Sequence, residues 1–491
     1  MGLVGSLADL LQTREDGLRL LLTMLLGYPL AALHRSFFYK QSAHIQHIFF
    51  VTVGISLYAF NYGYQVYHAL LSTFFAFCIT NFIPGTQHSV IAAHAAFLGH
   101  LLVGYWFAES AKYDITWTTP FCIMCLRYIG LVMDVYDGHN LKTAKPDQKL
   151  TGVSDKPSLL EIAAFGFHFT GTFVGPQFTL VRFRKYVNGD FLDKKTGEVR
   201  QSSLMPSLGR FVAGVTYMVI HQWGAVWIPN DYLNTPEFFN QSFFWRWTWV
   251  TLWYRFTMMR YCAAWLITEG AAILCGLGYN GVDEKGEDKW DGVRDLCISG
   301  WELGYDYNDV VTSFNVGTNI FAKNHLFRRM RFLGSKMAAH LATLMYLAVW
   351  HGYHLGYFLL FFYELGCVVA QEQWYSILKR LPSLQAFFRQ PFMRPFVFIF
   401  SRALINYSMA FGFITFGLVK KEIWWNPLKS LFFAGYIFYF VLCPVGFMLL
   451  RRVVPRLPAE KKPGQADIDA SSAATSSAVS SNEEGNTKKE L

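Results

Sequence analysis

The feature that most constrains this chain is the recurrence of apolar runs about as long as a bilayer is thick. They fall at 17–33, 46–62, 65–83, 89–108, 118–136, 208–228, 396–419 and 428–450, with a long interrupted run at 243–276 and a double one at 337–369. A helix needs about 20 apolar residues to cross the hydrocarbon layer. The runs therefore predict an all-α multispanning membrane protein with ten or eleven crossings. Composition supports lipid as the main solvent: 16% of the 491 residues are charged, against about 25% in soluble domains. The 15 Trp and 26 Tyr suit a protein with two membrane interfaces.

The net charge of +9 does not point to nucleic acid, because the basic residues cluster in short loops between apolar runs. Orientation in a membrane explains that pattern, as does attraction to anionic lipid or to the phosphates of a small ligand. Most of the eight cysteines lie inside apolar runs and read as small buried hydrophobes. Cys122 and Cys125 form a CxxC, but no second pair completes a zinc site.

Three stretches depart from simple spans. Residues 159–182 contain Gly175-Pro176-Gln177, and a Gly-Pro pair bends or breaks a helix. This segment is expected to re-enter or to line a cavity, since irregular backbone at membrane depth needs protein or water around it. The run 243–276 carries Arg246, Arg255, Arg260 and Glu269 and would measure about 51 Å as a helix. A tilted or broken helix is expected there, its charges facing the interior. Residues 281–335 form the longest polar region within the membrane body, passing from acidic (Asp283 to Asp295) to basic (Lys323, Arg328, Arg329, Arg331).

Two domains follow: a membrane-embedded body over 1–454 and a disordered tail over 455–491. The tail is rich in Ser and Ala and cannot bury a core. Arg451 and Arg452 beside the last span place it in the cytosol by the positive-inside rule. Its final KKEL reads as a retrieval signal of the endoplasmic reticulum, through paired Lys488 and Lys489 or through likeness to KDEL. No cleavable signal peptide is evident. MGLVGS matches the myristoylation pattern, and a multispanning protein has no need of that anchor. Asn240-Gln241-Ser242 is a glycosylation sequon, usable if its loop is lumenal.

Chemistry concentrates in WHGYHLG at 350–356, where His351 and His354 sit among apolar residues. An ionisable group at membrane depth is costly unless it has a task or a partner. A hydrophobic helix through this stretch would set the two histidines on neighbouring faces. No third ligand of suitable spacing is near, and Glu364 is more than two turns away, so no metal is expected. For most of the 14 histidines the plainer reading is a hydrogen bond across helices. His351 stands apart through Trp350 before it and Gly352 and Gly356 after it, small residues that open room beside the imidazole. A neutral imidazole there can accept a proton from an alcohol attacking an activated acyl carbon. Its candidate partner is Asn315 in SFNVGTN, with Asn319 one turn on; asparagine amides are uncharged donors able to orient a substrate or settle an oxyanion. The plainer reading of both is helix capping. GLGYNG at 276–281 satisfies GxGxxG but follows a long apolar helix instead of a strand, and reads as a chain turn. There is no phosphate loop and no GxSxG elbow.

Asn315 followed 36 positions later by His351 in WHG resembles the hallmark pair of the membrane-bound O-acyltransferases. LRYIGLVMDVYDG (126–138), PSLLEIAAFGFHFTGTFVGPQF (157–178), WLITEGAAILCGLGYNG (265–281) and SFNVGTN (313–319) resemble their lysophospholipid acyltransferase branch. One departure is Phe314, where many members have Trp before the asparagine. The resemblance implies that fold, a reaction chamber inside the membrane, and transfer of an acyl group from acyl-CoA to the sn-2 hydroxyl of a lysophospholipid. His351 would be the general base and Asn315 would orient the reacting groups. Trp350, His354, Asn319, Lys323, Arg328, Arg329 and Arg331 are further candidates for substrate contact, the basic four for the phosphates of coenzyme A. Acyl-CoA would be a co-substrate, with no cofactor required. Lysophospholipid and the bilayer complete the expected partners, and a homodimer is left open. Acceptors of another kind (sterol, diacylglycerol, protein) and a lipid transporter or scramblase are the alternatives. No internal repeat of the kind common in transporters is visible.

Overall fold

The computed structural model describes residues 2–10, 13–108 and 115–454. The expected tail and its KKEL signal lie outside these residues. The described residues are mostly helical, and the only β pairing among them consists of the isolated bridges Val282 to Asp288 and Leu296 to Phe314. Eight helical segments are long and apolar enough to cross a membrane: Glu15–Phe38, Ala43–Phe82, Gln87–Ala108, Thr118–His139, Gln201–Asn234, Leu355–Leu378, Arg394–Gly417 and Ala434–Val453. Ten or eleven crossings were expected, and the difference has identifiable sources. Ala43–Phe82 is interrupted by a 3₁₀ turn at Gly63–Gln65. Phe243–Leu274 carries the arginines and the glutamate that lower its hydropathy. Lys336–His351 has only 16 residues.

Contacts between helix ends show how the bundle is threaded. Tyr58 donates to the Trp117 carbonyl at 3.1 Å, and the Ile115 amide donates to Asp16 at 3.0 Å. The turn at 63–65 and the residues before Thr118 therefore share one side. On the other side Asn81 donates to the Pro157 carbonyl at 3.0 Å, and Gly85 packs directly on His139. This second side carries Lys142, Lys145, Lys149, Lys156 and the run from Lys323 to Arg331; it is the basic face.

Of the two forms expected for the run 243–276, tilted or broken, the broken one does not occur. Phe243–Leu274 is one helix of 32 residues, about 48 Å long. Its charges are absorbed sideways: Arg255 pairs with Glu302, which also accepts from Tyr217 at 2.7 Å, and buried Glu269 pairs with Arg210 at 3.1 Å. The stretch 159–182 does interrupt itself. Leu159–Gly166 and Leu180–Val187 are short helices, and the chain between them is irregular and largely buried. Its carbonyls are satisfied by Arg127, 4% exposed within Thr118–His139, which donates to Phe165, Gly166, Gly171 and Pro176 and to the Gln177 side chain. One buried guanidinium thus supplies several of the donors this backbone lacks, with Trp265 donating to the Val174 carbonyl and Thr172 to those of Gly166 and His168.

Candidate active site

The helix expected through WHGYHLG ends inside it. His351 is the last residue of Lys336–His351, Gly352 takes φ +131°, and a second helix, Leu355–Leu378, begins after His354. The two histidines therefore belong to different sides of a chain break and not to neighbouring faces of one helix. Four aromatic rings surround the His351 imidazole: Trp350 at 4.5 Å between centroids, Phe416 at 4.9 Å, Phe361 at 5.6 Å and Tyr357 at 5.8 Å. The glycines do not open room beside it, as the sequence had suggested. Gly352 provides a backbone angle that other residues rarely adopt. Gly356 lets the carbonyl of Thr415 approach so closely that a Cβ would clash.

Trp350 is buried, and its indole N–H donates to the Cys122 carbonyl at 3.0 Å. It anchors the helix end. His354 instead lines an open cleft of about 350 Å³ with Tyr353, Leu355, Val419, Lys420, Lys421, Glu422 and Trp424. Asn234 donates to the Ile423 carbonyl at 3.0 Å at the rim. Cys122 lies one turn into the helix that starts at Thr118, so His351 sits toward the face opposite the basic one.

Asn315 occupies a left-handed conformation, φ 49° and ψ 49°, immediately before the helix Val316–Phe321. Its side chain makes no capping bond there. The conformation is imposed from both sides. Before it, the Cys297 amide donates to the Ser313 carbonyl at 2.8 Å, and Phe314 is wedged between Trp265 and Trp301, 4.7 and 4.5 Å away. After it, the amides of Val316 and Gly317 donate to the carbonyl and side chain of Asp295 at 3.0 and 2.9 Å. Asn319 donates to the carbonyls of Val311 and Phe314, both at 2.8 Å. Its two amide hydrogens are spent on holding this turn, and only its oxygen is left for another partner.

The two segments meet through one turn of Thr118–His139. Trp350 donates to Cys122, and Gln177 donates to the next carbonyl, Ile123, at 2.8 Å. A Cβ placed on Gly317 would lie 3.0 Å from Cβ of that glutamine and 2.6 Å from Asp295 Oδ1. Consecutive carbonyls of one helix thus hold Trp350, the neighbour of His351, and Gln177, which packs on Gly317 two residues after Asn315. Asp295, 2% exposed, is pushed up to about 7 by burial, with the Gly317 amide and the Arg127 guanidinium opposing the shift. In the sequence Asp295 is one acid among several in a polar stretch, and nothing local marks it out. Arg127 had a signal, a lone cation inside an apolar run.

The basic run divides in two. Arg328 pairs with Asp147, and Arg329 pairs with buried Asp137 at 2.6 Å. Lys323 and Arg331 are exposed. Ligand atoms of Asp134, Asp137 and His325 lie within 4.8 Å of one another, a grouping that could hold a cation. Arg329 already neutralises Asp137 there, and Thr151 donates to Asp134 at 2.9 Å.

Residues 102–415, which hold both Asn315 and His351, match the family model described as MBOAT, membrane-bound O-acyltransferase family. The chain belongs to the membrane-bound O-acyltransferase family. Among curated members, a lysophospholipid acyltransferase 5 of Caenorhabditis elegans is 60% identical over 467 residues, covering 94% of this chain and 98% of that one. Proteins of the same name from Homo sapiens and Drosophila melanogaster are 32% and 36% identical. The human one spans 94% of both chains, and the fly one 76% of this chain and 74% of its own. The resemblance read from the ordered motifs is thereby shown, along with the all-helical multispanning fold of this acyltransferase family.

Proposed function

We propose that this protein is a lysophospholipid acyltransferase, moving a fatty acyl group from acyl-CoA to the free sn-2 hydroxyl of a lysophospholipid. Lysophosphatidylcholine is the favoured acceptor, with the ethanolamine and serine lysolipids beside it. The observation that carries this reading is the near full-length likeness to relatives of that name, joined to a ring-enclosed His351 and a left-handed Asn315 in segments that pack on the same turn of Thr118–His139. In the proposed reaction His351 takes the hydroxyl proton as the oxygen attacks the thioester carbonyl. Asn315 orients the reacting groups or stabilises the developing oxyanion. No acyl-enzyme and no cofactor enter the scheme; acyl-CoA is consumed.

The excess of Lys and Arg puts the basic face in the cytosol, where Lys323 and Arg331 meet the phosphates of coenzyme A. The cleft beside His354 offers the lysolipid headgroup a polar site on the other face, and the apolar body admits its chain from the bilayer. The endoplasmic reticulum is the proposed membrane. Purified protein in nanodiscs, given labelled acyl-CoA and a panel of lysolipids, sterol and diacylglycerol, tests the assignment. Labelled diacyl phospholipid is the expected product. Label appearing only in a sterol ester or triacylglycerol would replace the acceptor, and no label in any acceptor would remove the enzyme.

A further inference from the structure

The helix Leu355–Leu378 carries a carboxyl group, Glu364, at membrane depth, and none of the described residues forms an ion pair or hydrogen bond with it. Such a group is costly and calls for a task. Its place on the helix is informative. Tyr357, Phe361 and Glu364 are spaced i, i+4, i+7, one stripe on a helical surface, and the first two rings pack on His351. Seven residues further along the same stripe, Gln371 Oε1 accepts from the Tyr307 amide at 2.6 Å. Tyr307 opens the short helix that leads into Phe314 and Asn315. Glu364 therefore lies between the contact with His351 and the contact with the segment bearing Asn315.

The flanking residues fix its direction. On one flank, Phe361 stacks on His351 at the end of Lys336–His351, and Leu365 is buried. Leu360, on the other flank, faces Gly412 of the helix Arg394–Gly417. The exposed residues Leu355 and Phe362 fall about half a helical turn away from Glu364. Its side chain thus points into the gap between the helix ending at His351 and Arg394–Gly417, away from lipid. It retains some accessible surface there. Glu364 is also displaced from Phe361 along the helix toward the basic face, the side from which acyl-CoA arrives.

We propose that Glu364 is a second acid–base residue of the acyl transfer, the one that handles the proton of the leaving group. The inference rests on the acyltransferase reading above. As the acceptor hydroxyl attacks, His351 takes its proton, the new C–O bond forms, and the C–S bond breaks with its electron pair on sulfur. The protonated Glu364 carboxyl donates to that thiolate, giving coenzyme A as the free thiol. The proton on the His351 imidazolium then restores the carboxyl group. Atoms and charges balance without any further reactant.

The test compares wild type, E364Q and E364D, full length and in nanodiscs, by kcat and by KM for acyl-CoA, with thermal unfolding measured alongside. The amide of E364Q keeps shape and polarity and cannot give a proton. Its kcat should fall about tenfold or more, with KM for acyl-CoA unchanged to within about twofold. E364D keeps the acid and should turn over faster than E364Q. Wild-type kcat in E364Q, a loss confined to KM, or equal kcat in E364Q and E364D would each overturn the role. If E364Q unfolds, E364D must still turn over measurably, and an inactive but folded E364D overturns the role. These outcomes are separate from the underlying reading, which falls only if wild type itself transfers no acyl group or H351A transfers it normally.

Discussion

At the scale of single residues, Asn315 carries two separable properties, a backbone angle and an amide. A left-handed residue other than glycine or asparagine costs about 1–2 kcal/mol, so N315A is expected to lose both the amide and some stability. N315G keeps the angle without strain and loses only the amide. Acyl transfer should therefore fall in N315G while its unfolding temperature stays near that of wild type. An active N315G would assign Asn315 to the turn alone. Asp295 sets the second expectation. Its carboxyl is raised from 3.8 to about 7 in the folded protein, so the folded state holds this proton more tightly than the unfolded one. Its contribution is fully present below about pH 4, declines as pH rises toward 7, and is flat above. Thermal unfolding of wild type and D295N from pH 4 to 8 should show this decline in wild type and its absence in D295N. Matching pH slopes in the two proteins would contradict it. Asp295 was invisible in the sequence because its importance comes from amides contributed 21 and 22 residues later, a pairing no local pattern encodes.

At the scale of elements, the sequence signals were strongest where length and hydropathy alone decide. Thr118–His139 and Arg394–Gly417 start and stop close to the apolar runs that predicted them. The errors came where tertiary contacts decide. The charges within 243–276 suggest a tilted or broken helix, and Glu302 and Arg210, from two other helices, pair with them and leave the helix whole. In WHGYHLG every residue tolerates a helix, yet the chain turns at Gly352 because Gly356 must meet the Thr415 carbonyl and Trp350 must meet Cys122. The histidine itself was legible as a polar group in an apolar run; its position at a helix end was not. G352A tests this directly. A side chain at φ +131° is strained, and its Cβ would stand 3.2 Å from the Tyr357 ring that packs on His351. G352A should lower both the unfolding temperature and kcat. An unchanged kcat would separate the turn from the site.

At the scale of the whole molecule, two opposed faces are joined by helix ends that lock together in pairs. The basic face gathers Lys323 and Arg331, and the other face presents the cleft at His354, Lys420 and Lys421. Between them, His351 is held by a wall of rings, and Asn315 by a turn strapped to Asp295. An anionic donor and a membrane-borne acceptor approaching from different sides would meet at His351, which makes that imidazole the centre of the account. The decisive measurement is transfer of a labelled acyl group from acyl-CoA to lysophosphatidylcholine by purified wild type and H351A in nanodiscs. Wild type should form labelled phosphatidylcholine, and folded H351A should form none above background. Product formed by H351A at the wild-type rate would contradict the account.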